Sequence, residues 1–132
     1  MNDYSSIDTC YSTCTVSIVG SKGSDAGGLV GSNAWSSITS SYSTGMVTGN
    51  YFVGGLVGTE YKSSSITNFW DIETSGQTTS ANGSGKTTAE MQMASTFLEA
   101  GWDFVDETEN GTEDIWWINE GQDYPKLWWE NK

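Results

Sequence analysis

The chain lacks histidine and arginine altogether, and it has only five lysines, two cysteines and one proline among its 132 residues. Without histidine, Ser-His-Asp and Cys-His catalysis and every histidine-ligated metal site are excluded. Seventeen acidic residues against five bases give a net charge of −12 at pH 7. No nucleic-acid partner is therefore expected, and anionic membranes are poor candidates, because binding to both depends on clustered Lys and Arg side chains.

Long hydrophobic runs are also missing. The longest, residues 115–118, is far too short to cross a bilayer, which predicts no membrane insertion. The first 30 residues have neither the basic start nor the apolar core of an export signal. We therefore expect an extracellular or cell-surface location if the chain is part of a longer secreted protein, and a cytoplasmic one if it is complete.

The chain is rich in small residues and in large aromatic residues. It contains 16 Gly, seven Trp and six Tyr, together with many Ser and Thr. This composition is typical of β-structure with many tight turns. Because aliphatic residues are few, we expect aromatic rings to supply much of the buried apolar area.

The first half of the chain contains an internal repeat. Residues 7–11 recur as residues 38–42, each followed by Ser-Thr, and the block Gly-Gly-Leu-Val-Gly occurs at residues 27–31 and 54–58. A third start at residues 66–70 has Trp in place of the Tyr, so the repeats begin 31 and then 28 residues apart. Repeats of this length indicate stacked units that bury a shared core.

The repeat predicts an all-β fold. We expect a right-handed parallel β-solenoid (β-helix) of about two to three coils, with a C-terminal cap that contains one short helix and short strands. The Gly pairs are expected at the corners, where a positive φ or a close backbone approach is needed. A sandwich of short antiparallel strands is the alternative. Equivalent residues should stack along the solenoid in three rows: Ile7, Ile38 and Ile66; Tyr11, Tyr42 and Trp70; and Leu29 and Leu56.

These motifs resemble a known family. The Gly-Gly-Leu-Val-Gly blocks and the stretch Ile-x-x-x-Tyr-Ser-Thr-Gly-x-Val at residues 38–47 resemble the GLUG-motif repeat family. An insertion at residues 18–26, and Cys14 in place of a Gly, depart from its pattern. The resemblance implies a repeat architecture in a large bacterial surface or secreted protein, and it implies no catalytic residues. The second half of the chain also resembles the segment that often closes such arrays, at residues 69–71, 75–77, 85–91, 101–104 and 124–127.

The two halves of the chain are expected to differ. Residues 1–65 are predicted to form two GLUG-like solenoid repeats, and residues 66–132 the last partial coil and an acidic, aromatic-rich cap. Within the cap, a helix is expected over residues 89–100 and strands over 115–118 and 127–129. The first coil is expected to lack a cap. Either it meets a second copy, giving a homodimer, or the molecule is cut from a longer array.

Two groups of residues are candidate ligand sites. Exposed tryptophans can stack on sugar rings, and carboxylates in a loop can bind calcium, so no cofactor is expected other than calcium as an open alternative. A regular EF-hand is excluded because Trp117 stands where the bidentate Glu should be. The sugar-binding candidates are Trp35, Trp116, Trp117, Trp128 and Trp129, and the metal-binding candidates are Asp106, Glu107, Glu109, Glu113 and Asp114.

The sequence therefore predicts a non-enzymatic interaction or assembly module that resembles the end of a bacterial surface or adhesin-like repeat protein. Its expected partner is a protein or a glycan at a cell surface. The alternative is a carbohydrate-binding or polysaccharide-active module, since parallel β-helices also host polysaccharide-active enzymes. No two carboxylates in the sequence are paired in the way that glycoside cleavage needs, which favours the first reading.

Overall fold

The computed structural model describes residues 1–131 and is mostly β-structure with a few short helices. The chain folds as two compact units, Met1–Thr87 and the residues from Thr88 onward. The sequence division at residue 66 follows the repeats, whereas the compact units divide after Thr87. The third repeat therefore belongs to the first unit.

The first unit contains only short strands, and every strand pairing within it is parallel. The prediction of parallel β-structure is thereby confirmed. Each strand pairs with its equivalent in the next repeat, in the groups β1–β6–β11, β2–β7, β3–β8–β12–β13, β4–β9 and β5–β10. The strands are β1 (Asn2–Asp3), β2 (Ser6–Asp8), β3 (Tyr11–Ser12), β4 (Val16–Ser17), β5 (Asp25–Gly27), β6 (Val30–Ala34), β7 (Ser37–Thr39), β8 (Tyr42–Ser43), β9 (Val47–Thr48), β10 (Phe52–Gly54), β11 (Val57–Tyr61), β12 (Phe69–Asp71) and β13 (Ser84–Lys86).

The register of the third repeat differs by one residue from the prediction. Tyr42 pairs with Phe69, not with Trp70, and Ile66 bridges to Thr39. Because successive side chains of a strand point to opposite faces, a slip of one residue exchanges the inner and outer faces. Ile66 is accordingly 62% exposed instead of buried in the predicted isoleucine row. The other two members of that row, Ile7 and Ile38, are paired as predicted.

The insertion in the first repeat is shorter than predicted. It spans residues 18–24, not 18–26, because Asp25 and Ala26 already pair in register with Phe52 and Val53. The extra residues therefore form a loop between β4 and β5, and the repeat is back in register at Asp25.

The chain after β12 continues to follow the second repeat. The backbone N–H of Val47 donates to Ser75 O at 3.1 Å, and that of Gly55 donates to Thr79 O at 3.0 Å. The segment then returns at β13, which pairs with β12. Residues 72–83 thus complete a shortened third repeat against the second.

The apolar core of the first unit is small. Val30, Ile38, Leu56, Val57 and Trp70 form one buried cluster. The predicted row of Leu29 and Leu56 is present, since the Leu29 N–H donates to Leu56 O at 3.0 Å and Leu29 packs against the cluster.

The paired glycines allow close packing and do not supply a positive φ. None of the four paired glycines has a positive φ: Gly27, Gly28, Gly54 and Gly55. A methyl group at Gly55 would overlap the indole of Trp70. Of the two roles predicted for these pairs, the structure supports close approach.

Buried polar side chains connect the repeats. Asn2 Nδ2 donates to Asn33 Oδ1 at 2.8 Å, and Asn33 Nδ2 donates to Glu60 Oε1 at 2.9 Å. Asn68 Oδ1 accepts from the backbone N–H of Ser41 at 3.0 Å. Asn33 and Asn68 are both almost fully buried. A buried polar group without a partner is costly, so these bonds help to hold each repeat in register with the next.

In the second unit, the prediction of one continuous helix over residues 89–100 is wrong. The structure has two short helices, α1 (Thr88–Met91) and α2 (Ala94–Leu98). Met93 between them has an extended backbone with φ −114° and ψ 127°. The first N–H of α2 donates to Glu120 Oε1 at 2.8 Å. This tertiary contact gives a hydrogen-bond partner to the first N–H of α2. The sequence pattern places that N–H inside one continuous helix.

The core of the second unit consists mainly of aromatic rings. The Trp102 ring lies 4.8 Å from the Phe97 ring and 4.7 Å from the Trp116 ring, measured between centroids. Phe104 lies 6.2 Å from Phe97. Met91 is fully buried in the same unit. A compact unit is thus built with very little regular secondary structure.

The strands of the second unit are shorter than predicted. β14 (Trp116–Trp117) pairs antiparallel with β15 (Lys126–Leu127). The predicted strand over residues 127–129 stops at Leu127, and a 3-10 helix, Trp128–Asn131, follows.

Candidate functional site

Three equivalent residues of the first unit share a strained backbone conformation. Tyr4, Trp35 and Lys62 occupy the same position in successive repeats and have φ values of 50°, 51° and 47°. This left-handed region normally favours glycine or asparagine, and a bulky residue there costs about 1–2 kcal/mol. Such outliers cluster at functional sites, where the strain has a use.

A second left-handed row uses small residues instead. Thr9, Ser40 and Thr67 have φ values of 56°, 47° and 58°. The Ser40 backbone N–H donates to Thr67 Oγ1 at 3.3 Å, so these hydroxyl residues also bond between the repeats. Bulky side chains are therefore not required by the left-handed corner itself.

The bulky row forms an exposed aromatic cluster with Tyr61, which we call the aromatic corner (Tyr4, Trp35, Tyr61 and Lys62). The rings of Tyr4 and Trp35 are parallel within 3°, with centroids 6.0 Å apart, and Tyr61 meets Trp35 edge-on at 5.7 Å. Lys62 Nζ lies 4.4 Å from the centroid of the Trp35 ring. The three rings remain exposed, at 74% for Tyr4, 46% for Trp35 and 57% for Tyr61.

A row of serine hydroxyls runs beside the aromatic corner. Ser6 and Ser37 are paired in register, and Ser64 is the equivalent residue of the third repeat. Ser6 and Ser64 are exposed and Ser37 is half-buried. Since equivalent strands lie about 4.8 Å apart, the row offers one hydroxyl at each repeat.

Three residues of the aromatic corner, Tyr4, Trp35 and Lys62, line one groove of about 560 Å³ together with the serine row. Lys62 is the one charged side chain among the described residues that line it. The groove therefore combines exposed ring surface with hydroxyl groups at the periodicity of the repeats. Chemically, such a surface can hold a ligand that has both C–H faces and hydroxyl groups.

The five tryptophans predicted as sugar platforms are placed differently. Trp35 lies in the aromatic corner, and Trp128 and Trp129 are exposed in the 3-10 helix at 45% and 52%. Trp117 is half-buried. Trp116 is 1% exposed and stacks on Trp102, so its ring has no free face for a sugar.

The acidic loop is organised by its own backbone. Glu107 Oε2 accepts from the N–H groups of Glu109 and Asn110 at 3.0 and 3.1 Å. The N–H of Glu113 donates to Asp103 Oδ2 at 2.9 Å.

The remaining acids of the loop do not complete a metal site. Asp106 and Asp114 are exposed and left-handed. Across residues 1–131, no three Cys, Asp or Glu side chains form a group that could hold a metal ion. The five candidate acids are therefore not brought together in this structure, and calcium binding stays a prediction.

Sequence reasoning identified Trp35 but missed the rest of the groove. A signal was present, because each repeat contains a bulky residue followed by two serines: residues 4–6, 35–37 and 62–64. The bulky residue changes from Tyr to Trp to Lys between the repeats, so a search for identical residues does not find the pattern. The stacking of equivalent residues makes it visible.

Comparison with known proteins identifies the repeat. Residues 22–48 match the model of the GLUG motif. The chain carries a GLUG motif. The matched residues run from the insertion of the first repeat to β9, and they include Trp35 of the aromatic corner.

The chain is also similar to a longer protein. It is 36% identical over 130 residues to a protein of Evansella cellulosilytica that is named as a Gly-rich membrane protein. The alignment covers 94% of this chain and 14% of the relative, so the chain spans about one seventh of the relative's length. No solved structure matches the chain. Among its described residues, no helix is long and apolar enough to cross a membrane.

Proposed function

We propose that the chain is a non-enzymatic, surface-associated GLUG module that folds as a right-handed β-solenoid and serves in interaction or assembly at a cell surface. The observation that carries the proposal is the in-register parallel pairing of equivalent residues through successive repeats, as in Tyr11, Tyr42 and Phe69. Parallel strands joined by crossovers of this length are almost always right-handed.

The surface setting is supported by the relative. A Gly-rich membrane protein in which a segment like this one makes up 14% of the length fits an array displayed outside the cell. The module then acts as a spacer and a contact surface, because solenoids present long faces on which equivalent side chains recur. We place it outside the cell as part of such a longer protein.

The proposal of a non-enzymatic role is supported by the structural use of a buried acid. Asp71 is fully buried, and its Oδ1 accepts from the N–H groups of Glu73 and Thr74 at 2.8 and 3.0 Å. This carboxylate holds a turn. We also propose that the module needs no cofactor, with calcium at the acidic loop as the alternative.

An assembly role would use the first repeat. Strands β2, β3 and β4 of the first repeat are each paired on one side only among the described residues. An unpaired strand edge can accept another strand. We propose that this edge packs against another repeat, which would be supplied by a second copy if the chain is studied alone. A solution mass equal to one chain at high concentration would contradict the homodimer.

The surface proposal is tested on cells that produce the parent protein. Antibodies raised against this module should label intact cells as strongly as permeabilised ones. Labelling only after permeabilisation would overturn the surface location. Incubation of the module with soluble polysaccharides should release no new reducing ends, and a steady release would overturn the non-enzymatic role.

A further inference from the structure

We propose that the groove at the aromatic corner is a binding site for a neutral polysaccharide. This inference rests on the proposed surface function and names the partner for one face of the module. Sugars need aromatic surface for their C–H faces and hydrogen-bonding groups for their hydroxyls. The groove presents both along one row of repeats.

The aromatic part is held open by the fold. Trp35 is the central ring, with the parallel ring of Tyr4 on one side and Lys62 Nζ close to its face. Tyr4 is 74% exposed and Trp35 is 46% exposed. Both rings line the groove, and they are therefore the platform for sugar rings.

The hydrogen-bonding part has free capacity. The hydroxyls of Ser5 and Ser36 donate to backbone carbonyls of their own repeats. Ser6, Ser37 and Ser64 make no such side-chain bond in the described structure, and they lie in one row along the groove. A hydroxyl can both donate and accept, which suits the hydroxyls of a sugar.

Charge selects a neutral chain over an anionic one. The module carries a net charge of −12, and a polyanion would be repelled by this field. The one cation of the groove, Lys62, lies against the Trp35 and Tyr61 rings. It therefore stabilises the aromatic corner and can donate to one sugar hydroxyl.

The spacing of the groove favours a polymer over a single sugar. Equivalent side chains recur about every 4.8 Å along the repeats, which is close to the length of one sugar ring. Successive sugars of an extended chain would therefore meet equivalent hydroxyls. We expect affinity to rise with the number of sugars until the groove is filled.

The backbone offers variants that remove the rings without straining the fold. Tyr4 and Trp35 are left-handed, where glycine has no steric penalty. Tyr4→Gly and Trp35→Gly therefore relieve strain while they delete the platform. A loss of binding in these variants without a fall in melting temperature would show a binding role and not a structural one.

The test is calorimetric titration of the full chain with cellohexaose, laminarihexaose, mannohexaose and chitohexaose, with an oligogalacturonate of equal length as the anionic control. We expect at least one neutral hexasaccharide to bind and to bind more tightly than its disaccharide. Tyr4→Gly and Trp35→Gly should weaken this binding by about tenfold or more, and Ser37→Ala by about threefold. Trp128→Ala, which removes an exposed Trp of the second unit, is the matched control and should bind as the natural chain does.

The inference is overturned if none of the four neutral hexasaccharides binds, if Tyr4→Gly binds as tightly as the natural chain, or if only the oligogalacturonate binds. These failures are distinguishable from failure of the surface proposal, which is read from antibody labelling of intact cells. Surface labelling without sugar binding would overturn only the proposal of a glycan partner. Sugar binding without surface labelling would overturn only the proposed location.

Discussion

The two units of this chain are stabilised by different kinds of contact. In the first unit, small side chains and buried amides recur at equivalent positions, and the apolar cluster contains one large ring, Trp70. In the second, four large rings pack together with hardly any regular structure: Phe97, Trp102, Phe104 and Trp116. A repeat multiplies each small contact, whereas a segment without repeats must obtain its buried area from a few large groups.

This difference determines where each unit is vulnerable. In the second unit, stability should be concentrated in a few side chains. In the first, it should be spread over rows of equivalent residues, with a few positions where the repeats approach so closely that no change is tolerated. The following substitutions test that contrast, from the largest expected effect to the smallest.

Trp102→Ala should have the largest effect. The ring is 1% exposed and contacts two other rings, so its removal leaves a cavity that costs about 3–5 kcal/mol. Denaturant unfolding monitored by hydrogen exchange would measure the loss of stability in the second unit. Trp129→Ala is the control, because this ring is 52% exposed and should change stability by less than about 0.5 kcal/mol. Equal losses would contradict an aromatic core.

Leu56→Ala should destabilise the first unit by about 2–5 kcal/mol, because Leu56 is fully buried in the apolar cluster. Ile66→Ala provides the control and also tests the register. In the register of the structure Ile66 points outward, and its loss should cost less than about 0.5 kcal/mol. A cost similar to that of Leu56→Ala would restore the register expected from the sequence.

Asn68→Ala should cost about 1–3 kcal/mol. The substitution leaves the buried N–H of Ser41 without its acceptor, and the carbonyl of Ile38 keeps only the backbone N–H of Ile66 as a donor. The loss is read from the midpoint of denaturant unfolding. Asn50→Ala, at an exposed position, should leave the midpoint unchanged. If the two variants unfold alike, the buried amides do not hold the repeats together.

Lys126→Ala should have the smallest effect on stability. Lys126 Nζ lies 2.7 Å from Asp123 Oδ2, and both side chains are partly exposed. The hydrogen bond from Lys126 lowers the pKa of Asp123 in the folded chain. The pair therefore stabilises the fold fully above the carboxyl's unfolded pKa of about 3.9, and this contribution is lost as the pH falls from there through the lower folded pKa. NMR titration should show the pKa of Asp123 rising in the variant. An unchanged pKa would show that the pair does not persist in solution.

The repeats were predictable because their letters recur. The isoleucines of the first two repeats and the blocks at residues 27–31 and 54–58 predicted parallel pairing at the register that the structure has. The third repeat was not predictable to the residue. Ile66 and Trp70 reproduce the letter spacing of the earlier repeats, but burial of Trp70 and of Phe69 beside Tyr42 requires the register to slip by one.

The candidate site was predictable only in part. Trp35 was identified by its residue type, but Tyr4, Tyr61 and Lys62 had no reason to be grouped with it in the sequence. Tyr4 and Lys62 lie beside Trp35 because equivalent positions of successive repeats stack at about 4.8 Å, and Tyr61 precedes Lys62 in the chain. In the second unit, Trp116 and Trp117 could not be told apart by sequence, since which of two adjacent residues faces the core depends on the strand's orientation.

The sequence by itself determined the class of structure and the excluded chemistry. The lack of histidine, the acidic charge and the repeated blocks required no coordinates to interpret. Only the tertiary structure decided the register of the third repeat, the break between the two helices at Met93 and the grouping of the aromatic corner. Each of these depends on a contact between residues distant in the chain, such as Glu120 with Ala94, and local pattern does not encode which distant partner is met.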